Sequence, residues 1–398
     1  MKRAGGPSAT VPTTEPSMRS SARRALLAAG LLALACVPVQ GATPPAQPKE
    51  GPGGPGDQKV AVVKRAVGRA SAATFVFHAA GPAPSTGRPV AVLLHGWGAV
   101  NPQSYGAWID HLARNGYLVL FPRFQEVNRT RPADATAAAG RLLAAAFEAL
   151  AGDADAKPDL GRVALIGHLA GVPLAANLAA EAGSLGLPAP KLVFGTMPGG
   201  IASGPKARGI TLADLARIPP GTMLITMIGD RDARAADIAA RRLLREAAQV
   251  PPERKLFMRA LSDDHGFPAL TATLAAPAGV DPAYDGGAIK LPPEPKDGKP
   301  APFKWSADMA LTGEQQTLVA QINNARTDTL DYLAFWKTFD LAAAAAFSGS
   351  DTAPLKANPR FADMERWSDG WPVKRLAVET PRPHPAPGAG AAPATARR

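Results

Sequence analysis

The sequence predicts an α/β fold with a doubly wound, mostly parallel sheet flanked by helices. Of the 398 residues, 46% are hydrophobic and 19% are charged, a balance typical of a large globular protein. Several short apolar runs lack polar alternation, as strands buried on both faces of a parallel sheet do. Segments of helical periodicity lie between these runs, and this alternation is typical of βαβ units.

The predicted elements follow in chain order. Apolar runs predict strands at residues 74–77, 90–94, 117–121, 162–167, 191–194, 222–229 and 255–258. Helical patterns cover residues 103–115, 135–151, 170–182 and 233–248. A later helix is predicted at residues 328–347, where an aromatic stripe is expected to pack on the sheet.

The first 41 residues predict a signal peptide, and therefore export to the periplasm or the extracellular space. Arg23 and Arg24 precede an apolar run at residues 25–37, which is short for a bilayer span and typical of an export signal. We expect cleavage between Cys36 and Thr43. The mature chain is then expected to have no transmembrane span.

The sequence leaves the export route open. The arginine pair also fits a twin-arginine signal, and lipidation of Cys36 would anchor the protein to a membrane. Met18 is an alternative start of translation. Cys36 is the only cysteine in the chain, so the mature protein is expected to have no intramolecular disulfide.

Proline and glycine are concentrated in segments without periodicity. Residues 42–57 predict a flexible linker, and the folded domain is expected at residues 58–379. Within that domain, residues 276–302 form a long Pro/Gly-rich insertion. The composition of residues 380–398 predicts a disordered tail.

The strongest local motif runs from Gly167 to Gly171, between a predicted strand and a predicted helix. It fits the nucleophile-elbow pattern G-x-S-x-G, except that Leu169 stands at the centre. The two glycines are expected because a side chain at either position would collide in so tight a turn. His168 precedes the centre and is expected to point away from it.

A second turn, at residues 95–98, closes an earlier strand with His95, Gly96 and Trp97. In elbow-type hydrolases this turn supplies a main-chain N–H to the oxyanion hole, and the residue after the nucleophile supplies another. The donors predicted here are the amides of Trp97 and Ala170. His95 is expected to brace the turn.

Acidic and histidine residues follow two later strands, Asp230 and Asp232 after the first and His265 after the second. The chain order of elbow, acid and histidine is the order used by α/β-hydrolases.

Residues 60–378 resemble the α/β-hydrolase superfamily, especially secreted bacterial esterases, lipases and dienelactone hydrolases. Besides the elbow, the resemblance rests on the segments at residues 95–102, 121–125 and 367–370. It implies the α/β-hydrolase fold, with Leu169 at the nucleophile position, Asp232 as the orienting acid and His265 as the general base. Asp230 is the alternative acid, and the insertion at residues 276–302 follows the histidine.

Leu169 decides the expected chemistry, because its side chain has no lone pair and no proton for His265 to take. Replacing the nucleophile of such a triad lowers turnover by about six orders of magnitude. Ser104 and Ser262 lie near the expected site but on no elbow. If Asp232 orients His265, a serine restored at residue 169 is expected to raise ester hydrolysis.

Other functional classes have little support. The sequence contains no H-E-x-x-H, no P-loop and no G-x-G-x-x-G motif, so neither a metal nor a cofactor is implied. The net charge is +11, but no Lys/Arg block with interleaved aromatics indicates nucleic-acid binding. The sequence sets no oligomeric state.

Three functional hypotheses follow. The first is an exported, inactive or strongly impaired relative of carboxylic-ester hydrolases that retains a pocket for an acyl or ester-like ligand. The second is an active esterase or lipase with another nucleophile. The third is a non-catalytic scaffold that binds a partner through residues 276–302.

Overall fold

The computed structural model describes residues 41–69, 72–202, 204, 207–231, 234–293, 303–311 and 315–381. These residues form a nine-stranded sheet. The strands are β1 (Val62–Arg69), β2 (Ala72–Ala79), β3 (Arg88–Leu94), β4 (Leu118–Pro122), β5 (Pro158–His168), β6 (Leu192–Thr196), β7 (Met223–Gly229), β8 (Lys255–Ala260) and β9 (Ala377–Glu379). The sheet order is β1-β2-β4-β3-β5-β6-β7-β8-β9.

The six strands from β4 to β8 in the sheet are parallel, and antiparallel strands extend it at both edges. Strands β4, β6 and β7 are buried along their whole length, which explains their uninterrupted apolar sequences. The predicted doubly wound sheet is therefore confirmed. The edge strands β1 and β9 are additions that the sequence patterns did not reveal.

Seven α-helices are described: α1 (Gly106–Arg114), α2 (Ala135–Leu150), α3 (Gly171–Ala180), α4 (Arg234–Glu246), α5 (Gln315–Asn323), α6 (Lys337–Phe347) and α7 (Ala353–Ala357). A π-helical segment, Leu330–Trp336, runs directly into α6. Trp108 of α1 packs against Phe335 and Phe339, so the aromatic stripe belongs to the core as expected. No described helix is both long and apolar enough to cross a bilayer.

The strand order reverses direction at β3. The chain passes from β3 to β4 on one side, whereas β5 pairs with the other side of β3. In open α/β sheets, ligands bind at the carboxyl ends of the strands where this reversal occurs. The turn after β3 and the elbow after β5 both lie at this position.

Residues 42–57 are packed against the domain, which differs from the predicted flexible linker. The carbonyl of Pro45 accepts hydrogen bonds from the hydroxyls of Thr329 and Tyr332, each at 2.8 Å. The amide of Gly53 donates to Asp340 at 2.8 Å. The segment is ordered because it runs along the surface of the domain, where its main-chain N–H and C=O groups form hydrogen bonds.

Part of the predicted insertion is also anchored. The amide of Asp281 donates to the carbonyl of Gln103 at 2.9 Å, and the hydroxyl of Tyr284 donates to Asp110 at 2.5 Å. Residues 281–284 therefore pack beside α1 and the turn before it. Residues 294–302 of the insertion, the predicted signal peptide up to residue 40 and the predicted tail from residue 382 lie outside the described residues.

Candidate active site

The chain makes a tight turn between β5 and α3, with Leu169 at its apex. Leu169 has a φ of 52°, in the left-handed region that a branched side chain rarely adopts. A β-carbon on Gly171 would lie 1.9 Å from the carbonyl oxygen of Leu94, and one on Gly167 would lie 2.6 Å from that of Gly171. Both glycines are therefore required by close main-chain approach, as the elbow motif predicts.

The side chain of Leu169 is only 8% exposed and lies against the turn after β3. A β-carbon on Gly96 would be 3.0 Å from Cδ1 of Leu169. The isobutyl group thus fills space between the elbow and the turn that carries Trp97. The structure brings Leu169, Ala170, Gly96 and Trp97 together, as the sequence predicts.

The two predicted oxyanion donors have no hydrogen-bond acceptor among the described residues. The amides of the neighbouring residues are satisfied: Gly96 donates to the hydroxyl of Tyr105 at 3.0 Å, and Gly98 donates to Oε1 of Gln125 at 2.8 Å. Within the described residues, neither the amide of Trp97 nor that of Ala170 makes a hydrogen bond. Trp97 and Ala170 are buried residues, and the main-chain amides of buried residues usually have a hydrogen-bond partner.

His168 points away from the apex and connects three segments of the chain. Its Nε2 donates to the carbonyl of Leu274 at 2.8 Å, and its Nδ1 lies 2.8 Å from the hydroxyl of Tyr105. Burial lowers the pKa of His168 to about 4, so the ring is neutral and Nδ1 accepts from Tyr105. Every polar atom of this imidazole is already engaged.

His95 is buried beneath the turn. Its Nδ1 donates to the carbonyl of Gly96 at 2.8 Å, and its ring stacks on Phe124 at a centroid distance of 4.1 Å. Burial lowers its pKa to about 4. These contacts agree with a residue that braces the turn.

The sheet order, the position of the elbow after β5 and the strained φ of Leu169 occur together at the reversal point of the sheet. The protein has the α/β-hydrolase fold. A family model described as chlorophyllase matches residues 57–199, which contain both the turn and the elbow. No curated protein matches this hydrolase-fold chain.

Two solved structures with similarity to this hydrolase-fold protein are hydrolases by description. One is described as a dienelactone hydrolase from Klebsiella pneumoniae subsp. pneumoniae, at 12% identity, 50% coverage of this chain, 85% of that chain and a TM-score of 0.36. The other is carboxyl esterase 2 from the mycorrhizal fungus Tuber melanosporum, at 17% identity, with 52% and 79% coverage and a TM-score of 0.37.

His265, the predicted base, lies in a different set of contacts. Its Nε2 is 2.7 Å from Oδ2 of Asp369, and its ring stacks on Trp371 at 5.4 Å. Among the described residues, no hydrogen bond joins His265 to Asp230. Asp232 lies outside the described residues, so its pairing with His265 stays a prediction.

The loop after β8 is held towards the edge strand β9. The carboxylate of Asp263 accepts from the amide of Lys374 at 2.9 Å and from Nε1 of Trp367 at 3.3 Å. Three strand spacings, roughly 14 Å, separate β8 from β5 in the sheet. The segment around Leu274 contacts the elbow through its bond with His168.

The two serines considered as substitute nucleophiles form hydrogen bonds with other groups. The hydroxyl of Ser262 donates to Asp230 at 2.5 Å and accepts from the amide of Ala272 at 3.0 Å. The hydroxyl of Ser104 donates to Asn323 at 2.9 Å. Both serines are buried, and neither hydroxyl contacts an imidazole. The described residues contain no cluster of three or more side chains suited to bind a metal ion.

Proposed function

We propose that this hydrolase-fold protein is exported, that it does not hydrolyse esters through its elbow, and that it binds an acyl or ester-like ligand there. The observation that carries the first part is the apex itself. Leu169 occupies the left-handed position from which a serine would attack, and its side chain offers no nucleophile.

The surroundings of the apex support the same proposal. A substitute nucleophile needs a base within hydrogen-bond reach. The hydroxyls of Ser104 and Ser262 are bound to an amide and a carboxylate, and His168 donates to a carbonyl. The imidazole of His265 is held by Asp369. None of these groups forms a nucleophile–base pair with another.

Ligand binding is supported by the two amides without acceptors. Trp97 and Ala170 are buried residues on the two neighbouring turns, and a carbonyl or carboxylate oxygen bound in the space between these turns would give their amides an acceptor. Leu169 partly fills this space because its Cδ1 packs on Gly96. A ligand would therefore enter more easily if this side chain were shorter.

The binding site is tested with hexanoate, whose affinity is measured from the shift in melting temperature that it causes. We expect Leu169→Ala to bind hexanoate at least about fivefold more tightly than wild type, since the space beside the amides opens. Leu244→Ala, a buried leucine on α4, removes the same atoms away from the elbow and should leave the affinity unchanged. Equal affinities in wild type and Leu169→Ala, or equal gains in both variants, would exclude a site at the amides.

A further inference from the structure

Large apolar side chains are exposed on two loops beside the elbow. Val127 is 50% exposed, Phe303 49% and Trp305 55%. Val127 belongs to residues 126–131, which follow β4, and the two aromatics belong to residues 303–311, which precede α5. We call these two segments the rim loops. Grouped apolar side chains at a surface indicate an interaction site, whereas isolated ones do not.

Direct contacts make the rim loops one continuous surface. The guanidinium of Arg129 lies over the ring of Phe303, 4.8 Å from its centroid. Nε of Arg131 is 2.7 Å from the carboxylate of Asp308. The guanidinium of Arg208 donates to the carbonyl of Ala307 at 3.0 Å, which adds a third segment to the same surface.

This surface lies at the carboxyl end of the parallel strands. Gln125, directly before the first rim loop, accepts from the amide of Gly98 in the turn after β3. Leu311, at the end of the second rim loop, lies near Ala170, since a β-carbon on Gly200 would be within 3.3 Å of both side chains. The rim loops therefore flank the elbow.

The charges on this surface favour an anionic partner. Arg129 lies 3.5 Å from Glu126 and Arg131 pairs with Asp308, and Lys304 adds a positive charge beyond these two pairs. Tryptophan is enriched where a protein meets the headgroup region of a bilayer, and cationic side chains beside it are attracted to anionic lipids. A soluble polyanion would satisfy the charges but not the exposed aromatic rings.

We propose that the rim loops bind the surface of an anionic phospholipid bilayer, with Phe303 and Trp305 inserted at headgroup depth. This interaction would place the carboxyl end of the sheet, and the elbow with it, against the membrane. It does not depend on a ligand at the amides of Trp97 and Ala170, so the two proposals can fail separately.

Co-sedimentation with vesicles tests the proposal. Wild type is expected to bind vesicles of equal parts phosphatidylcholine and phosphatidylglycerol, and to bind pure phosphatidylcholine at least about tenfold less tightly. The double variant Phe303→Ala/Trp305→Ala should lose about tenfold in affinity for the mixed vesicles. Arg129→Gln/Lys304→Gln should lose a similar factor, and added salt should reduce wild-type binding.

A matched control lies at the opposite end of the parallel strands, where β5 begins. Leu160 is 53% exposed near the start of β5, about 25 Å from the carboxyl end of that strand. Lys157, the residue directly before β5, is also exposed. Lys157→Gln/Leu160→Ala should bind the mixed vesicles as wild type does. Each variant should have the melting temperature of wild type, which excludes misfolding as the cause of weaker binding.

Three outcomes would overturn the proposal. Wild type could fail to bind mixed vesicles, the control variant could lose as much affinity as the rim variants, or Phe303→Ala/Trp305→Ala could bind as tightly as wild type. Binding of wild type to dextran sulfate together with the last result would indicate a site for soluble polyanions.

Discussion

Nε2 of His265 lies 2.7 Å from a carboxylate oxygen of Asp369, on the β9 side of the sheet. The imidazole also stacks on Trp371, and the loop that carries it is tied to Lys374 and Trp367 through Asp263. Through these contacts His265 connects two loops. It does not meet the elbow in the described contacts, which changes what should follow from restoring a serine at residue 169.

The first prediction concerns that restoration. The sequence alone predicts that Leu169→Ser raises hydrolysis of short-chain p-nitrophenyl esters. From the contacts of His265, we now expect Leu169→Ser and Leu169→Ser/His265→Ala to differ by less than about threefold, because a positioned general base is worth about 10²–10⁴-fold. Initial rates under identical conditions measure this. A single variant about a hundredfold faster than the double variant would restore His265 as the base.

The second prediction concerns backbone strain at the apex. With a φ of 52°, residue 169 favours glycine over any residue with a β-carbon. Both Leu169→Gly and Leu169→Ala lose the buried side chain, but only glycine is free of the strain. We expect Leu169→Gly to be more stable than Leu169→Ala by about 1 kcal/mol, the reverse of the usual order. Urea denaturation measures the free energy of unfolding of both variants. If Leu169→Ala is the more stable, the backbone at the apex is not strained.

The third prediction concerns pH. Burial lowers the pKa of His168 from 6.5 to about 4, so its neutral form stabilises the fold fully above pH about 6.5 and less as the pH falls towards 4. Between pH 7.5 and pH 5 this residue should account for a loss of about 2 kcal/mol in the free energy of unfolding.

The variant His168→Gln isolates that contribution, since other groups titrate equally in both proteins. Its free energy of unfolding should fall by about 2 kcal/mol less than that of wild type over the same interval. An identical pH dependence in wild type and His168→Gln would show that this imidazole is not held neutral.

The fourth prediction concerns the mature N-terminus, which we place between Cys36 and Thr43. Among the described residues, the carbonyl of Ala42 accepts from the amide of Phe267, and the amide of Thr43 donates to Ser368. Cleavage further along the chain would remove these bonds. N-terminal sequencing of protein secreted from its host tests this, and a chain that starts at Met1 or Met18 would contradict it.

Much of the fold was predictable because buried parallel strands have a distinct sequence pattern. The strands from β2 to β8 are apolar over most of their length, and the helices between them are periodic. β1 was missed because its residues are half-buried and mixed with Lys64 and Arg65, and β9 because it has only three residues. β1 and β9 form because they pair with a neighbouring strand, and a local sequence pattern does not predict such pairing.

The elbow was predictable for a similar reason, since its glycines are required by local main-chain contacts. The partners of His265 were not, because Asp369 lies 104 residues further along the chain. The same holds for Tyr105, which joins Gly96 to His168. The sequence around Tyr105, directly before α1, does not reveal these two hydrogen bonds.

The central claim is that the elbow has no nucleophile, and labelling with a fluorophosphonate probe tests it most directly. Intact mass spectrometry of the wild-type protein is expected to show no adduct, because Leu169 offers no hydroxyl and the hydroxyls of Ser104 and Ser262 are buried and bound. A stoichiometric adduct that maps to Ser104, Ser262 or another serine would contradict the account and show that the protein is an active serine hydrolase.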